Sequence, residues 1–438
     1  MPTSFRPYDP DQQFLLPPCP RDWLPEGHLS FFISDAIEAL DLSGFFARYE
    51  GDGRRNQPFN PRMMVKILVY GYATGVFSSR KLAKKIEEDV AFRVLSGGCF
   101  PSHRTICDFR HDHGEQLQGL FIQVVKLAQC AGLIKLGRIA VDGTRVRANA
   151  SKHKAMSYGQ MRKEEKRLGR EIAGLLERAE AQDAQEDEQY GADQRGDELP
   201  EALRRREDRL RKILEAKQRL EEQQAALDRQ RGRDPDDDRN PRGGPRYKRD
   251  FGVPPDKTQS NFTDPQSRIM NTAEGFQQCY NAQLAVDESQ LIVATGLTDN
   301  AADNGELLPL IEKTEQNTGQ RPHQVLADAG YRSDESFQRL EQIGIEAVIS
   351  LGREGKTARP IADRRAATKR MATRLESETG RAAYRRRKAL VEPVVGWIKE
   401  IQRFRRFSFR GIAKVRAEWD LVCLATNLKR MHRLMTSA

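Results

Sequence analysis

The segment GRIAVDGTRV, residues 137–146, decides the fold. Its residues alternate as in a β-strand, with Ile139 and Val141 on one side and Ala140 and Asp142 on the other. The pattern therefore places an acidic side chain at the end of a strand, where a glycine follows and the chain can turn. A long polar stretch separates this strand from the next strand pattern.

Strand patterns return after residue 278. The segments CYNAQLAVD (279–287) and LIVATGLTD (291–299) flank a short turn and predict a β-hairpin. Further strands are predicted at 323–331 and 346–351, and helices at 305–317, at 337–343 and from residue 383 onward. This order of elements predicts an α/β sheet that is interrupted between its first and second strands.

The interruption, residues 154–250, is long and charged. Two stripes of leucines and other apolar residues, one starting at Leu168 and one at Leu203, predict an antiparallel helical hairpin. We expect an acidic stretch at 182–198 to separate the two helices. Residues 231–250 have the composition of a flexible linker.

A series of helical patterns precedes the first strand. Apolar spacing, caps and breakers predict helices at 31–49, 61–75, 78–92, 102–111 and 117–131. The N-terminal part is therefore predicted to be an all-α domain. Its short helices, with a basic one at 78–92, are compatible with a helix-turn-helix that places a helix in a DNA groove, although many small helical domains look alike.

The positive charge of the chain is concentrated at one end. Residues 353–438 contain 23 Lys and Arg against 8 Asp and Glu, a net charge of +15, whereas the whole chain of 438 residues carries +10. This asymmetry favours a nucleic-acid partner over an evenly charged surface. No stretch of about 18 apolar residues predicts a membrane span. The first residues also lack the pattern of a signal peptide, so we expect a cytoplasmic, nucleoid-associated protein.

Three acidic residues stand out by their positions. Asp142 and Asp328 each end a predicted strand with a glycine close behind, so we expect both at the rim of the sheet. Glu392 precedes Lys399 by seven residues, which is two helical turns and places both on one helix face. Although a single Asp near a glycine is more often a turn residue, the set predicts a site for Mg²⁺, which prefers oxygen ligands, with a lysine for a phosphate.

The acids lie in segments that together resemble the bacterial insertion-sequence transposases of the DDE type. GRIAVDGTRVRANAS, with Asp142, and LADAGYRSDE, with Asp328, resemble the motifs of the first and second catalytic aspartates. YRRRKALVEPVVGWIKEIQRFRRFSFRG, with Tyr384, Glu392 and Lys399, resembles the signature of the catalytic glutamate. Residues 264–287 and 298–311 resemble the connecting blocks, and the helices at 31–116 resemble an N-terminal domain that many of these transposases carry.

The resemblance implies an RNase H-like mixed sheet with a long helical-hairpin insertion after its first strand, preceded by the all-α domain. The predicted domains are 1–132, for binding DNA ends, and 133–438, for catalysis, the latter interrupted by the hairpin and linker at 152–255. The implied partners are double-stranded DNA, both the terminal inverted repeats of the transposon and the target, and a second copy of the chain in a homodimer on DNA.

The resemblance also implies two Mg²⁺ ions, with Mn²⁺ as a substitute, held about 3.5–4 Å apart by Asp142, Asp328 and Glu392. Water would cleave the transposon end, and the freed 3′-OH would attack target DNA in the same site. Two further functions stay open: an inactive, transposase-derived DNA-binding protein, and an RNase H-like nuclease without strand transfer. The presence of all three acids favours the active transposase.

Further residues are expected to support this chemistry. Those expected to contact DNA phosphates are Lys399, Arg387, Tyr384, Arg403, Arg405 and Arg406, and those expected beside the acids as supporting residues are Asn300 and Asp303. The signature departs from the family pattern, since Lys388 stands at the usual arginine position and Tyr384 lies one residue early. Pro393 follows Glu392 directly, so we expect Glu392 at a helix start or a kink.

Overall fold

A six-stranded mixed sheet forms the centre of the protein, in a computed structural model that describes residues 19–49, 57–190, 201–235, 248–352 and 365–436. In chain order the strands are β1 (Arg138–Arg147), β2 (Ala155–Ser157), β3 (Gln259–Asn261), β4 (Arg268–Thr272), β5 (Gly275–Asp287), β6 (Ile292–Thr298), β7 (Gln324–Ala327) and β8 (Glu346–Ile349). Strands β2 and β3 pair with each other outside this sheet, at the base of the insertion.

The order of the strands in the main sheet is β4-β5-β1-β7-β8, with β6 also paired to β5. Strand β5 runs antiparallel to β1, β4 and β6, whereas β7 runs parallel to β1 and β8 runs parallel to β7. The predicted hairpin of β5 and β6 is confirmed, and so is the mixed α/β class. Because β1 and β7 are parallel neighbours, the acids that follow their apolar residues reach the same edge of the sheet.

Seven helices lie before β1 in the described part of the chain. They are α1 (Leu29–Glu38), α2 (Ser43–Phe46), α3 (Pro61–Thr74), α4 (Ser79–Glu88), α5 (Val90–Ser96), α6 (His103–Asp112) and α7 (Gly114–Cys130). The helix predicted at 61–75 is confirmed, with Asn60 as its N-cap and Gly75 in the left-handed conformation at its end. The helix predicted at 78–92 is instead two helices, because the Asp89 side chain accepts from the main chain of Ala91 and starts α5.

The insertion is the predicted helical hairpin. Its helices α8 (Tyr158–Tyr190) and α9 (Glu201–Gln230) pack together around a small apolar core that includes Leu168 and Ile213. The break expected at residue 182 is wrong, since α8 continues to Tyr190. Part of the predicted linker, residues 236–247, lies outside the described residues.

The remaining helices cover both faces of the sheet. They are α10 (Leu307–Thr318), α11 (Asp334–Gln342), α12 (Ala366–Glu376), α13 (Glu378–Gly396) and α14 (Ile412–Thr436), and a π-helical turn, Trp397–Ile401, follows α13. Helices α10, α11 and α12 share one apolar core with the sheet, and α13 and α14 share another with its opposite face. The second core extends into the N-terminal helices, since α14 packs against α3 and α7.

Candidate active site

Asp142 lies where the sheet changes its pairing partner along one edge of β1. Strand β7 pairs with residues 138–140 of β1, and farther along the main chain of Arg147 bonds to that of Arg405 (3.2 Å) and Phe407 (2.8 Å). The Asp142 carboxylate lies between these two pairings and is mostly buried. Burial, helped by the nearby charge of Asp328, raises the pKa of Asp142 to about 6, although the Arg387 guanidinium opposes this shift.

Asp328 reaches the same edge from the neighbouring strand. It follows the last residue of β7, and its Oδ1 accepts a hydrogen bond of 2.8 Å from the main chain of Gly330. This bond holds the side chain at the start of a short 3-10 turn, Ala329–Tyr331. Asp142 does not end its strand as predicted, because β1 continues for five residues to Arg147. It lies just beyond the pairing of β1 with β7, so Asp142 and Asp328 are two partly buried carboxylates on neighbouring parallel strands.

A third carboxylate, Asp303, lies beside these two. Its Oδ1 accepts hydrogen bonds from the Asn281 amide (2.8 Å) and the Gln283 amide (2.6 Å) of β5. A Cβ atom on Gly330 would be 2.8 Å from Asp303 Oδ2 and 2.9 Å from Asp328 Oδ1, and one on Gly143 would overlap Asp303 Oδ1. Positions 143 and 330 therefore need glycine, because the Asp303 side chain occupies the space that a larger residue would fill.

The polar support of Asp303 extends away from the site. The Tyr331 hydroxyl donates to the Gln283 side-chain oxygen, so the amide nitrogen of Gln283 is directed at Asp303. Asn300, expected close to the acids, is exposed and shapes the loop instead: its side-chain oxygen accepts from the main chain of Ala302 (3.1 Å), and its carbonyl accepts from Asn281 (3.2 Å).

Helix α13 places an arginine against Asp142. The Arg387 guanidinium lies 3.3 Å from Asp142 Oδ2, and 9% of its side chain is exposed. It also lies over the ring of Tyr384, 5.9 Å from the ring centre. The buried Nε of Arg387 has no hydrogen-bond partner within the described ranges. Arg387 and Tyr384, both predicted to contact phosphates, thus line the inner side of α13.

Glu392 lies on α13 but does not join the aspartates. Its side chain is exposed, and the helix continues through Glu392 and Pro393 rather than starting there. Instead, the helical geometry becomes irregular after α13, in the π-helical turn. This turn interrupts the regular helical spacing that would place Glu392 and Lys399 on one face. Among the residues that the structure describes, no three Asp, Glu, His or Cys side chains lie close enough together to hold a metal ion.

The donor set nevertheless has the chemistry that Mg²⁺ requires. Asp142, Asp328 and Asp303 present hard carboxylate oxygens at one rim, and the pairing of Asp142 with Arg387 does not offset the burial that raises the pKa of Asp142. A divalent ion neutralises such a cluster and keeps water or phosphate oxygens in its remaining positions. These oxygens are of the type that a divalent cation takes as ligands, and completion of the predicted set needs Glu392 to come closer.

Basic residues continue from the acids along β1. The Lys399 ammonium donates to the carbonyl of Arg145 (3.2 Å), and burial lowers its pKa. Arg403 has a left-handed φ of 61°, which is uncommon for a residue other than glycine, and Arg405 and Arg406 are exposed. Phe404 and Phe407, in the same segment, are buried in the core, so these aromatic rings pack rather than face a ligand.

Two family models match the chain. Residues 249–428 match the transposase DDE domain, and residues 18–112 match a transposase domain designated DUF772. No curated protein and no solved structure matches it. In the ranges that the structure describes, no helix is both long and apolar enough to cross a membrane.

The DDE match contains Asp328, Glu392 and Lys399 but begins after the helical hairpin, so Asp142 joins it through the pairing of β1 with β5 and β7. The mixed sheet, with helices on both faces, has the RNase H-like fold that a DDE domain implies. With a transposase domain on each side of the insertion, the chain belongs to the DDE transposases of insertion sequences.

Proposed function

We propose that this transposase cleaves DNA at transposon ends and transfers the freed 3′-OH into target DNA. The observation that carries the proposal is the pair of carboxylates, Asp142 just beyond the pairing of β1 with β7 and Asp328 directly after β7, with the pKa of Asp142 raised to about 6. Groups with strongly perturbed pKa values in a cleft are typical of functional sites. This pair matches the first two acids of the DDE signature in type and order.

Asp142, Asp328 and Glu392 would hold the divalent ions, with Asp142 shared between them. When bound, two Mg²⁺ ions stabilise the attacking and leaving oxygens of an in-line displacement. Since Glu392 is exposed on α13, the proposal requires this helix to shift when DNA and metal bind. Asp303, held by hydrogen bonds from Asn281 and Gln283, would help to orient Asp142 and Asp328.

The reaction would proceed in two displacements at phosphorus. In the first, the oxygen of water bonds to the phosphorus of the scissile phosphate while the bond to the 3′ oxygen breaks, and that oxygen takes a proton to become the 3′-OH. In the second, this 3′ oxygen bonds to a phosphorus of the target strand, loses its proton, and displaces the target's own 3′ oxygen. Lys399 of the π-helical turn donates to the Arg145 carbonyl of β1, close enough to Asp142 for their charges to interact, and would hold a phosphate for both steps.

Arg387 would also contact DNA. Its guanidinium, 3.3 Å from Asp142, partly neutralises the carboxylate. The same guanidinium, beside the ring of Tyr384, would bind a DNA phosphate. Arg403, Arg405 and Arg406 would contact the backbone farther along the DNA.

The N-terminal domain, residues 1–132, would bind the transposon ends. Helix α4 buries Leu82 and Ile86 and exposes Arg80, Lys81, Lys84 and Lys85 on its outer face, which suits a DNA backbone. Cleavage and joining of two ends in one event would need two chains, so we propose a homodimer on DNA.

The test combines the full-length protein, Mg²⁺ and a library of candidate end sequences, followed by sequencing of cleaved and joined products. Asp142→Asn, Asp328→Asn and Glu392→Gln should each abolish products while DNA binding persists. Cleavage without joined products would indicate a nuclease, and DNA binding without cleavage would indicate an inactive descendant. An acid whose variant cleaves at the normal rate has no place in the site.

A further inference from the structure

A basic cleft lies beyond the acids, along the last residues of β1. It is lined by Arg145 and Arg147 of β1, Lys399 and Glu400 of the π-helical turn, Arg405, and the turn between β4 and β5 that contains Glu274. Its volume is about 150 Å³. Because water occupies about 30 Å³ per molecule in the liquid, the cleft has room for a phosphate group and several waters.

The charges of the basic cleft are only partly balanced. Glu274 pairs with Arg147 at 3.0 Å and reaches Arg405 at 3.7 Å, and Glu400 pairs with Arg405 at 2.6 Å. Four cationic side chains therefore face two carboxylates.

The other two cations lack such partners in the described part of the chain. The hydrogen bonds of Arg145 go to the main-chain carbonyls of Asn271 and Ala301, and that of Lys399 goes to the carbonyl of Arg145. Carbonyl acceptors hold these cations in place without neutralising them. The basic cleft thus keeps an excess of positive charge for an anion.

The position of the basic cleft follows from the strand that carries it. Arg145 and Arg147 lie three and five residues after Asp142 on β1, which at about 3.3 Å per residue corresponds to about 10 and about 17 Å. A DNA strand advances about 3.4 Å per nucleotide along the helix axis. For a DNA duplex whose helix axis runs along β1, the two arginines are therefore about three to five nucleotides away from a phosphate held at Asp142.

We propose that the basic cleft binds backbone phosphates of the DNA strand about three to five nucleotides from the scissile phosphate. Without DNA, Glu274 forms ion pairs with arginines of the cleft, and the DNA phosphates replace it when DNA binds. This inference rests on the proposed function, because it measures the register from the site of cleavage. Its consequence is that β1 sets both the position of the reacting phosphate and the path of the strand next to it.

Opposite charge changes in the basic cleft test the proposal. We expect Arg145→Ala and Arg147→Ala each to weaken DNA binding by about tenfold and to lower the salt dependence of the affinity by about one phosphate contact. Glu274→Gln should do the reverse and tighten binding, because it releases Arg147 and Arg405. The readout is the Kd of the full-length protein for a duplex of random sequence, measured by fluorescence anisotropy at several salt concentrations.

Matched controls separate the basic cleft from general charge effects. Arg339→Ala and Glu312→Gln make the same charge changes at exposed positions on α11 and α10 and should leave the Kd unchanged. Arg145→Lys keeps the charge and should retain most of the affinity, and thermal unfolding checks that each variant is folded. If Arg147→Ala binds like the Arg339→Ala control, or Glu274→Gln weakens binding, the proposal is wrong.

The register is tested separately, by replacing single phosphates of the cleaved strand with uncharged methylphosphonates. The wild-type protein should lose affinity at positions about three to five nucleotides from the mapped cut, and Arg147→Ala should no longer respond there. Equal sensitivity at all positions would overturn the proposed register. Binding is measured in EDTA, so the affinity test does not depend on cleavage. A protein that binds as predicted but never cleaves DNA would contradict only the proposed function. A protein that cleaves DNA normally but fails the affinity test would contradict only the proposal for the basic cleft.

Discussion

The strand side of the candidate site, Asp142, Asp328 and Asp303, differs from its helix side, Arg387 and Glu392, in how the side chains are fixed. Sheet pairing and hydrogen bonds from β5 hold the strand side together in the protein alone. On the helix side, Arg387 is buried against Asp142, whereas Glu392 is exposed. The difference teaches that the sheet preassembles part of the carboxylate set, and that α13 brings Arg387 rather than Glu392 to it.

The largest effect is expected from the strand side. Asp142→Asn or Asp328→Asn keeps the shape of the side chain but removes the charge of a proposed metal ligand. Since loss of a residue that only supports a ligand costs about 10–100-fold, we expect loss of a ligand to reduce Mg²⁺-dependent cleavage by more than about 100-fold. The measurement is the single-turnover cleavage rate. A loss of less than tenfold for both variants would contradict the proposed role of the strand side.

The pH dependence of stability tests whether Asp142 is as crowded as the structure indicates. Its pKa is raised from an ordinary value near 3.8 to about 6, so between these values the folded protein holds a proton that the unfolded chain releases. The free energy of unfolding should therefore fall as pH rises through this window, by at most about 3 kcal/mol from this residue. Asp142→Asn should remove this part of the fall.

Denaturant unfolding of wild type and Asp142→Asn without metal, at about pH 4 and about pH 7, gives the difference. Asp287 and Asp420, whose pKa values burial also raises to about 6, contribute in the same direction in both proteins and cancel. Identical pH profiles for the two proteins would contradict the crowded site.

Asp303→Asn should have an intermediate effect on activity. The variant keeps the size of the side chain but faces the amides of Asn281 and Gln283 with a group that accepts less strongly and also donates. We expect a loss of about 10–100-fold in metal affinity or cleavage, as for other supporting residues. Isothermal titration with Mn²⁺ measures the affinity. Asn300→Ala, in the same loop but with an exposed side chain, is the matched control and should stay within a few-fold of wild type.

The smallest effect on folding stability is expected on the helix side. Glu392 is exposed, so Glu392→Gln should change the free energy of unfolding of the metal-free protein by less than about 0.5 kcal/mol. The same variant should lose cleavage in the presence of DNA and Mg²⁺. A strong destabilisation of the metal-free protein would mean that Glu392 already has a role in the resting fold, and the contrast between the two sides would disappear.

The sequence predicted most of the sheet because its central strands are apolar or alternate clearly. Strand β4, Arg268–Thr272, was not predicted, since it pairs only with the start of β5 and buries only Met270. Helix α12 also lacked a clear signal, because Met371 is the one large apolar side chain among its buried residues, whereas Ala367 and Thr368 are small or polar.

The candidate site divides in the same way. The strand patterns placed Asp142 and Asp328 after apolar strand residues, but the prediction that a strand ends at Asp142 is wrong, because β1 continues to Arg147. The position of Glu392 could not be predicted, since the π-helical turn after α13 and the pairing of Arg387 with Asp142 depend on tertiary contacts. Gly143 and Gly330 were visible in the sequence as a signal for Asp303. This signal can be interpreted only once the structure shows that the loop with Asp303 fills the space beside both glycines.

The central claim is that the strand-side aspartates carry out metal-dependent cleavage and joining of DNA. The most direct measurement incubates wild type and Asp142→Asn with Mg²⁺ and the candidate ends, and sequences the products. The account predicts cleaved ends and 3′-joined target products with wild type, and unjoined, intact DNA with Asp142→Asn despite equal DNA binding. Equal product yields from the two proteins, or binding without products from wild type, would contradict it.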